Sequence, residues 1–224
     1  MRPALFLIPV FLLLGVWAGW LLIPEYKVTV MSQAPASERL RWLRDTPPSR
    51  PPATLRAKQI LFLSCDDSLR SRLAILQPEP TRRKIAAYCA DVAEKFLART
   101  PGSSLGHFTA AVAAWINGQN KAMNAHLLAS QRNGRFENWL AMRRFKLALA
   151  ADEALSSQGE AALEGDILAL LQSPAGRNFL AAYYVRQPAL RERIGRVAET
   201  LSEEIQVSFL GLVRKQLSNR ATRS

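Results

Sequence analysis

The sequence has 224 residues, and its 30 lysines and arginines against 18 aspartates and glutamates give a formal net charge of +12 at pH 7. Alanine and leucine dominate a chain that is 49% hydrophobic, and alternating apolar and polar runs are absent, which excludes a β-rich fold and predicts an all-α protein. A basic balance is typical of proteins that contact nucleic acid, an anionic membrane surface or an acidic polymer. Neither a groove-reading motif nor an aromatic stacking platform accompanies the charge, so nucleic acid is not an expected partner, whereas an acidic polymer stays open.

The first predicted element is the uncharged stretch ALFLIPVFLLLGVWAGWLLI, residues 4–23. As a helix it is about 30 Å long, the thickness of the hydrocarbon core of a bilayer. Val16-Trp17-Ala18 resembles the small-residue cleavage site of a secretory signal, so removal before Gly19 is the alternative. Because the apolar run continues past that site, and two tryptophans suit the membrane interface, residues 1–24 are expected to be an uncleaved transmembrane anchor.

The charges that flank the span disagree about its orientation. Only Arg2 precedes it, whereas one lysine and three arginines follow within residues 27–44. The positive-inside rule then favours a cytoplasmic body, but a very short N-terminal tail is typical of a signal-anchor that exports the body. We expect a single-pass protein of the inner (cytoplasmic) membrane with its C-terminal domain in the periplasm; a cytoplasmic domain is the alternative.

Residues 25–54 are expected to link the anchor to a folded domain. In this prediction ASERLRWLRD, residues 36–45, forms a short amphipathic helix whose tryptophan and arginines suit anionic headgroups. TPPSRPPAT, residues 46–54, is rich in proline, which lacks the amide N–H and disfavours helix in the residue before it, so a semi-rigid spacer is predicted here. The helical domain then extends over residues 55–217, and a basic tail follows at residues 218–224.

Cys65 and Cys89 are the two cysteines of the chain, and they fall in neighbouring predicted helices. The first of these helices covers Leu55–Gln77; the second begins at Thr81, after a proline-containing turn, and ends near Thr100. Folded back on each other, the two helices place the cysteines at similar heights, within the Cα spacing that a disulfide needs. An even number of cysteines in an exported chain favours a disulfide, and two buried free thiols are the alternative. No zinc site is expected, because two cysteines are too few.

Turn and capping residues divide the remaining chain into further helices. Ser103 or Ser104 caps the first of them, and Gly118 and Gly134 are expected to end helices in the left-handed conformation. Pro174 stands at a first helical position, where its missing N–H costs nothing. The predicted helices cover residues 104–117, 120–132, 136–155, 159–172, 174 onwards and 188–217.

The segment LARTPGSSLGHFTAAVAAWINGQNKAMNAHLLASQRNG resembles a tetratricopeptide repeat. Pro101 stands where that family has its inter-repeat proline, Gly118 marks the turn between two helices, and Asn133-Gly134 closes a unit of about 33 residues. The large aromatic residue near the start of the repeat's first helix is missing, and Phe108 and Trp115 are its candidate substitutes. The following ENWLAMRRFKLALAADEAL reads like the first helix of a next repeat. The resemblance implies stacked helical hairpins with a concave binding surface, and helical hairpins outside this family are the alternative.

The overall plan also resembles single-anchor proteins with degenerate repeats in bacterial envelope-polysaccharide systems. The segments that carry this likeness are SQRNGRFENWLAMRRFKLALA and LLQSPAGRNFLAAYYVRQPALRERI. It implies an accessory role in the assembly or export of a surface polymer.

No residue pattern in the sequence predicts a catalytic site. His107 and His126 are expected to be separate packed or solvated residues of helices, because no nucleophile or carboxylate partner is evident nearby. Asp66-Asp67 and the three acids of residues 160–166 are expected to lie on solvated helix faces. Nucleophile-elbow, P-loop and HExxH motifs are absent, so no cofactor or metal is predicted, and an enzymatic activity is left open but not favoured.

Basic and aromatic residues around position 140 are the best candidates for binding a partner. Arg135, Trp139 and Arg143 fall on one helix face, and Arg144 and Lys146 are close by. An inner repeat face carrying arginine and tryptophan suits an acidic peptide or sugar, through charge-assisted hydrogen bonds and ring stacking. The alternative is that Trp139 packs in the core and the arginines are surface charge.

These observations lead to two functional hypotheses and a third that depends on orientation. The first, which the sequence favours, is a membrane-anchored periplasmic scaffold or adaptor that binds a protein partner of an envelope or exopolysaccharide assembly system. The second is an envelope enzyme that acts on glycan. The third is a cytoplasm-facing basic domain that contacts nucleic acid or anionic lipid.

Overall fold

The computed structural model describes residues 4–48 and 51–221 of the chain. Helices are the regular secondary structure of these ranges, and no strand occurs within them, so the predicted all-α class is confirmed. The chain folds as two compact units, residues 1–93 and residues 94–224. The division lies inside a helix rather than in the proline-rich segment, whose Ser49 and Arg50 are outside the described residues, as are the two chain ends, residues 1–3 and 222–224.

Five helices lie wholly or partly in the first unit. They are α1 (Ala4–Gln33), α2 (Ala36–Asp45), α3 (Leu55–Arg70), α4 (Arg72–Ile75) and α5 (Glu79–Leu97). The part of α1 from Pro9 to Gln33 is long and apolar enough to span a membrane, a criterion that an N-terminal signal sequence also meets. α1 continues through Pro24, and its last turns carry Val28 and Met31, which are buried within the first unit.

The proline-rich segment returns to α1. Glu25, two residues beyond the apolar stretch, accepts hydrogen bonds from the backbone N–H of Ala53 (2.5 Å) and Thr54 (2.8 Å) and from the Thr54 hydroxyl (2.7 Å). Thr54 is also the N-cap of α3, since its side chain accepts from the N–H of Ala57. Pro52 is buried beside these contacts. The C-terminal end of the proline-rich segment, at Ala53 and Thr54, is therefore hydrogen-bonded to α1.

The predicted helix over residues 55–77 is wrong beyond Arg70. Ser71 adopts an extended conformation and its side chain accepts a hydrogen bond from the N–H of Ala74, so it caps a new helix, α4, instead of continuing α3. α3 and α5 are joined by a disulfide between Cys65 and Cys89, whose Cα atoms are 6.0 Å apart. Both cysteines are buried, in the arrangement that the two helices were expected to give.

Seven helices follow in the second unit. They are α6 (Ser104–Ile116), α7 (Asn120–Asn133), α8 (Asn138–Ala150), α9 (Ser157–Gln172), α10 (Pro174–Arg186), α11 (Arg191–Glu199) and α12 (Glu203–Ala221). α6 packs along α7, and α7, α8 and α10 all pack on α9, which makes α9 the central helix of this unit. α12 packs on α10. This order contains helical hairpins, while membership of the tetratricopeptide family stays a prediction.

Glycine geometry was predicted correctly at one turn and wrongly at the other. Gly118, between α6 and α7, has φ +71°, as expected for a left-handed helix end. Gly134 has φ −129°, so the left-handed conformation expected there is wrong. Glycine is required at this position for space, because a Cβ atom on Gly134 would lie 2.5 Å from the Cβ atom of Ser104.

Two long helices of the prediction are each divided. The predicted helix over residues 136–155 is α8 followed by a short 3-10 helix at Asp152–Ala154. The predicted helix over residues 188–217 is a 3-10 turn at Pro188–Leu190 and then α11 and α12, with a break at Thr200–Ser202. α12 continues to Ala221, so the described part of the predicted basic tail, residues 218–221, is helical.

Candidate functional site

The predicted partner-binding residues lie at the start of α8 and in the turn before it. Phe136 and Trp139 are 76% and 47% exposed, which contradicts the alternative in which Trp139 packs in the core. Arg135 is exposed, and its guanidinium carbon lies 5.7 Å from the centre of the Phe136 ring. We call Arg135, Phe136, Trp139, Arg143 and Lys146 the α8 surface. Phe136 was not among the predicted binding residues, although an aromatic residue beside arginine in a polar turn is a usable signal.

Arg143 and Lys146 extend this surface along α8. Arg143 is partly exposed, and Lys146 is exposed with its Nζ 5.6 Å from the centre of the Phe179 ring on α10. Tyr183 lies next to Phe179 and has the Arg186 guanidinium 4.9 Å from its ring centre. Cations and aromatic rings therefore occur together from the turn before α8 to the end of α10, a composition that suits an acidic group bearing apolar parts.

Arg144 does not belong to this surface, and its assignment as a partner-binding residue is wrong. Its side chain is fully buried, and all three nitrogens are used inside the unit. Nε donates to Oδ2 of Asp166 at 2.9 Å, and Nη2 donates to Oδ1 at 2.6 Å. Nη1 donates to the carbonyl and hydroxyl oxygens of Ser130 at 3.3 Å, and Nη2 also donates to the Gly134 carbonyl at 3.2 Å. A guanidinium with this many partners is a structural clamp, not a ligand-binding group.

Asp166, on α9, is the counter-charge of Arg144. It is fully buried, so the expectation that the acids of residues 160–166 lie on a solvated face is wrong for this residue. Burial raises the pKa of Asp166 to about 6, against the lowering effect of the hydrogen bonds and charge of Arg144. The Asp166 carboxylate and the Arg144 guanidinium form a buried ion pair that connects α9 to α8. Glu164 is exposed as expected, and Glu160 is partly exposed and pairs with Arg193 at 2.9 Å.

The turn that carries Phe136 is held from several sides. Arg144 binds the Gly134 carbonyl, and the Ser104 hydroxyl donates to Oε1 of Glu137 at 2.8 Å. Ser104 also fills the space beside Gly134, as described above. The exposed ring of Phe136 therefore projects from a turn with fixed ends, which lowers the entropy that a partner has to remove on binding.

The two histidines form a pair that was not predicted. Nδ1 of His107, on α6, lies 3.1 Å from Nδ1 of His126 on α7, and Nε2 of His107 lies 2.9 Å from the Pro101 carbonyl oxygen. A carbonyl only accepts, so Nε2 of neutral His107 carries the hydrogen and Nδ1 accepts from His126. Burial, and then the proximity of His107, lowers the pKa of His126, while Glu94 has the opposite effect. The pair connects α6 to α7.

Asp66 and Asp67 have different surroundings. Asp66 is buried and forms an ion pair with Arg70, so the expected solvated position is wrong for it; Asp67 is exposed. Within residues 4–48 and 51–221, no group of three or more histidine, cysteine or acidic side chains is placed to hold a metal ion.

No protein family model, no curated protein and no solved structure matches the chain.

Proposed function

We propose that this protein is a membrane-anchored helical scaffold of the periplasm that binds an acidic protein partner of an envelope or surface-polysaccharide assembly system. The observation that carries the proposal is the α8 surface, where exposed Phe136 and Trp139 stand among basic side chains on a turn with fixed ends. Aromatic residues and arginine dominate the energetics of protein interfaces.

The location in the proposal is supported by two features of the first unit. α1 meets the length and composition of a membrane span. The disulfide between Cys65 and Cys89 favours an oxidising compartment, and so an exported body. A reporter fused after Ser224 that is active only when exported tests this directly: activity is expected with an alkaline phosphatase type of reporter, and fluorescence of a cytoplasm-dependent reporter would contradict it.

The partner surface is tested by site-specific photo-crosslinking in native membranes, with the crosslinker at position 136. One captured protein is expected, and its capture should fall by about tenfold in Arg135→Glu/Lys146→Glu, because two attractive rim charges become repulsive. The matched control is Arg99→Glu/Lys121→Glu, which changes two exposed residues of the same unit by the same charge. Equal capture by both double variants would refute the α8 surface as an acidic-partner site.

The aromatic part of the surface is tested separately. Trp139→Ala is expected to weaken capture by about 30-fold, the size of an interface hot spot, without lowering the stability of the fold, because this ring is half exposed. A matching loss of helical circular dichroism would assign Trp139 a structural role instead.

A further inference from the structure

α12 carries apolar side chains on two faces, and the described chain covers only one of them. Phe209 and Val213 are buried, and the Phe209 ring packs edge-on against Tyr184 of α10, with 5.7 Å between the ring centres. Val207 and Leu210 lie on another face and are 61% and 48% exposed. Packing in the core of the second unit therefore explains the apolar residues Phe209 and Val213, but not Val207 and Leu210.

Five exposed residues of α12, three of them apolar, follow the spacing of a helix–helix seam. From Glu203 to Val207, Leu210, Arg214 and Leu217 the steps are four, three, four and three residues. This is the heptad spacing at which one side of a helix packs along another helix. Leu217 continues this spacing toward the end of α12 and is 48% exposed. The ligand that fits such a seam is another helix.

The charges of the seam indicate which helix. Glu203 lies in the first turn of α12, where an acid also suits the helix dipole, and Arg214 lies eleven residues further along the helix. If Val207 lies opposite Leu210 of a second, antiparallel copy, Glu203 lies opposite Arg214 of that copy, and the same pairs recur on the other side of the two-fold axis. A parallel arrangement would instead place like charges together. We propose that α12 pairs antiparallel with α12 of a second copy of this chain.

Gly211 follows Leu210 directly on α12. A Cβ atom added to it would meet nothing within 4 Å in the single chain. Since glycine has no side chain, a second helix backbone can approach closely at this position.

The test uses full-length protein in detergent micelles, with disulfide crosslinking between single cysteines on α12. Co-expressed Glu203→Cys and Arg214→Cys chains with different tags are expected to form a mixed crosslink, while neither variant crosslinks to itself, because like positions are far apart in the antiparallel register. Self-crosslinking of Glu203→Cys, which indicates a parallel pair, or no crosslink at all would overturn the proposal.

Particle mass alone is not a sufficient readout, because Gly15 and Gly19 on α1 have the four-residue spacing of dimerising transmembrane helices. Leu210→Lys is therefore added to the α12 cysteine pair and is expected to lower the mixed crosslink by about tenfold or more. Leu76→Lys, at another exposed leucine, is the control and should leave the crosslink unchanged. An undiminished crosslink in Leu210→Lys would overturn the seam even if the mass remains that of a dimer.

A second pair of variants excludes a folding defect. Gly211→Leu is expected to reduce the crosslink strongly, whereas Gly195→Leu on α11, where a Cβ atom also meets nothing within 4 Å, should not. Both variants should keep the helical circular dichroism of the parent. The proposed binding at the α8 surface is independent of this pairing, so partner capture at position 136 distinguishes failure of one from failure of the other.

Discussion

Replacing Arg144 with methionine is expected to destabilise the second unit by about 3–5 kcal/mol, the cost of removing one partner of a buried ion pair. Methionine fills much of the space of the arginine stem, so the loss comes mainly from the charge. Asp166, which is fully buried, keeps its carboxylate but loses its counter-charge and two donors. The Ser130 and Gly134 carbonyls each lose a donor as well.

A double variant separates the charge from the packing. Arg144→Met/Asp166→Leu leaves no buried charge, and it is expected to recover most of the stability that Arg144→Met loses. The pH dependence gives a second check. The folded-state pKa of Asp166 is raised to about 6, so its protonated form stabilises the fold below the unfolded pKa, and that contribution is lost as pH rises to about 6. Without Arg144 the pKa of Asp166 rises further. The free energy of unfolding that Arg144→Met loses relative to the wild type should therefore be smaller at about pH 5 than at about pH 8.

Urea unfolding of the full-length protein in micelles, followed by circular dichroism, gives the overall midpoints. Because the chain has two units, hydrogen exchange of the α8 and α9 amides is measured alongside to assign the change to the second unit. Two results would refute a buried, charge-paired Asp166. One is a fall in the free energy of unfolding below about 1 kcal/mol in Arg144→Met, and the other is a double variant no more stable than the single variant.

Three further predictions concern other contacts. Cys65→Ser/Cys89→Ser should destabilise the first unit by about 3 kcal/mol, seen as a lower Tm that reductant reproduces in the wild type but not in the variant. Gly134→Ala should cost about 1–3 kcal/mol in urea unfolding, because its Cβ would lie 2.5 Å from the Ser104 Cβ; an unchanged midpoint contradicts the close packing. Since the folded pKa of His126 is lowered, its contribution to stability should fall as pH decreases below about 6.5, so His126→Asn should gain stability relative to the wild type over that range; a stability difference that does not change with pH would exclude this contribution.

Local signals in the sequence were sufficient for much of the helical architecture. Ser103 and Ser173 cap helices with their side chains, Pro174 stands at a first helical position, and Gly118 ends a helix with positive φ. Each of these depends on residues within a few positions of one another, so the sequence contains the whole interaction. The breaks at Ser71 and at Thr200–Ser202 were missed because the apolar pattern continues across them.

The positions of charged side chains needed contacts that are distant in sequence. Arg144 and Asp166 are 22 residues apart, and the paired histidines are 19 apart. One signal for Arg144 was present nonetheless: it lies four residues after Leu140 and three before Leu147, within the buried stripe of α8. Trp139 lies off that stripe, which is why it is exposed while Arg144 is buried.

The continuity of α1 has a mechanical consequence for a protein held in a bilayer. The same helix leads from an exposed apolar stretch to Val28 and Met31 in the interior of the first unit, and Glu25 fastens the beginning of α3 to it. If α1 spans a bilayer, no flexible linker separates its apolar stretch from the first unit. A change in the tilt or rotation of α1 in the lipid therefore also reorients the first unit.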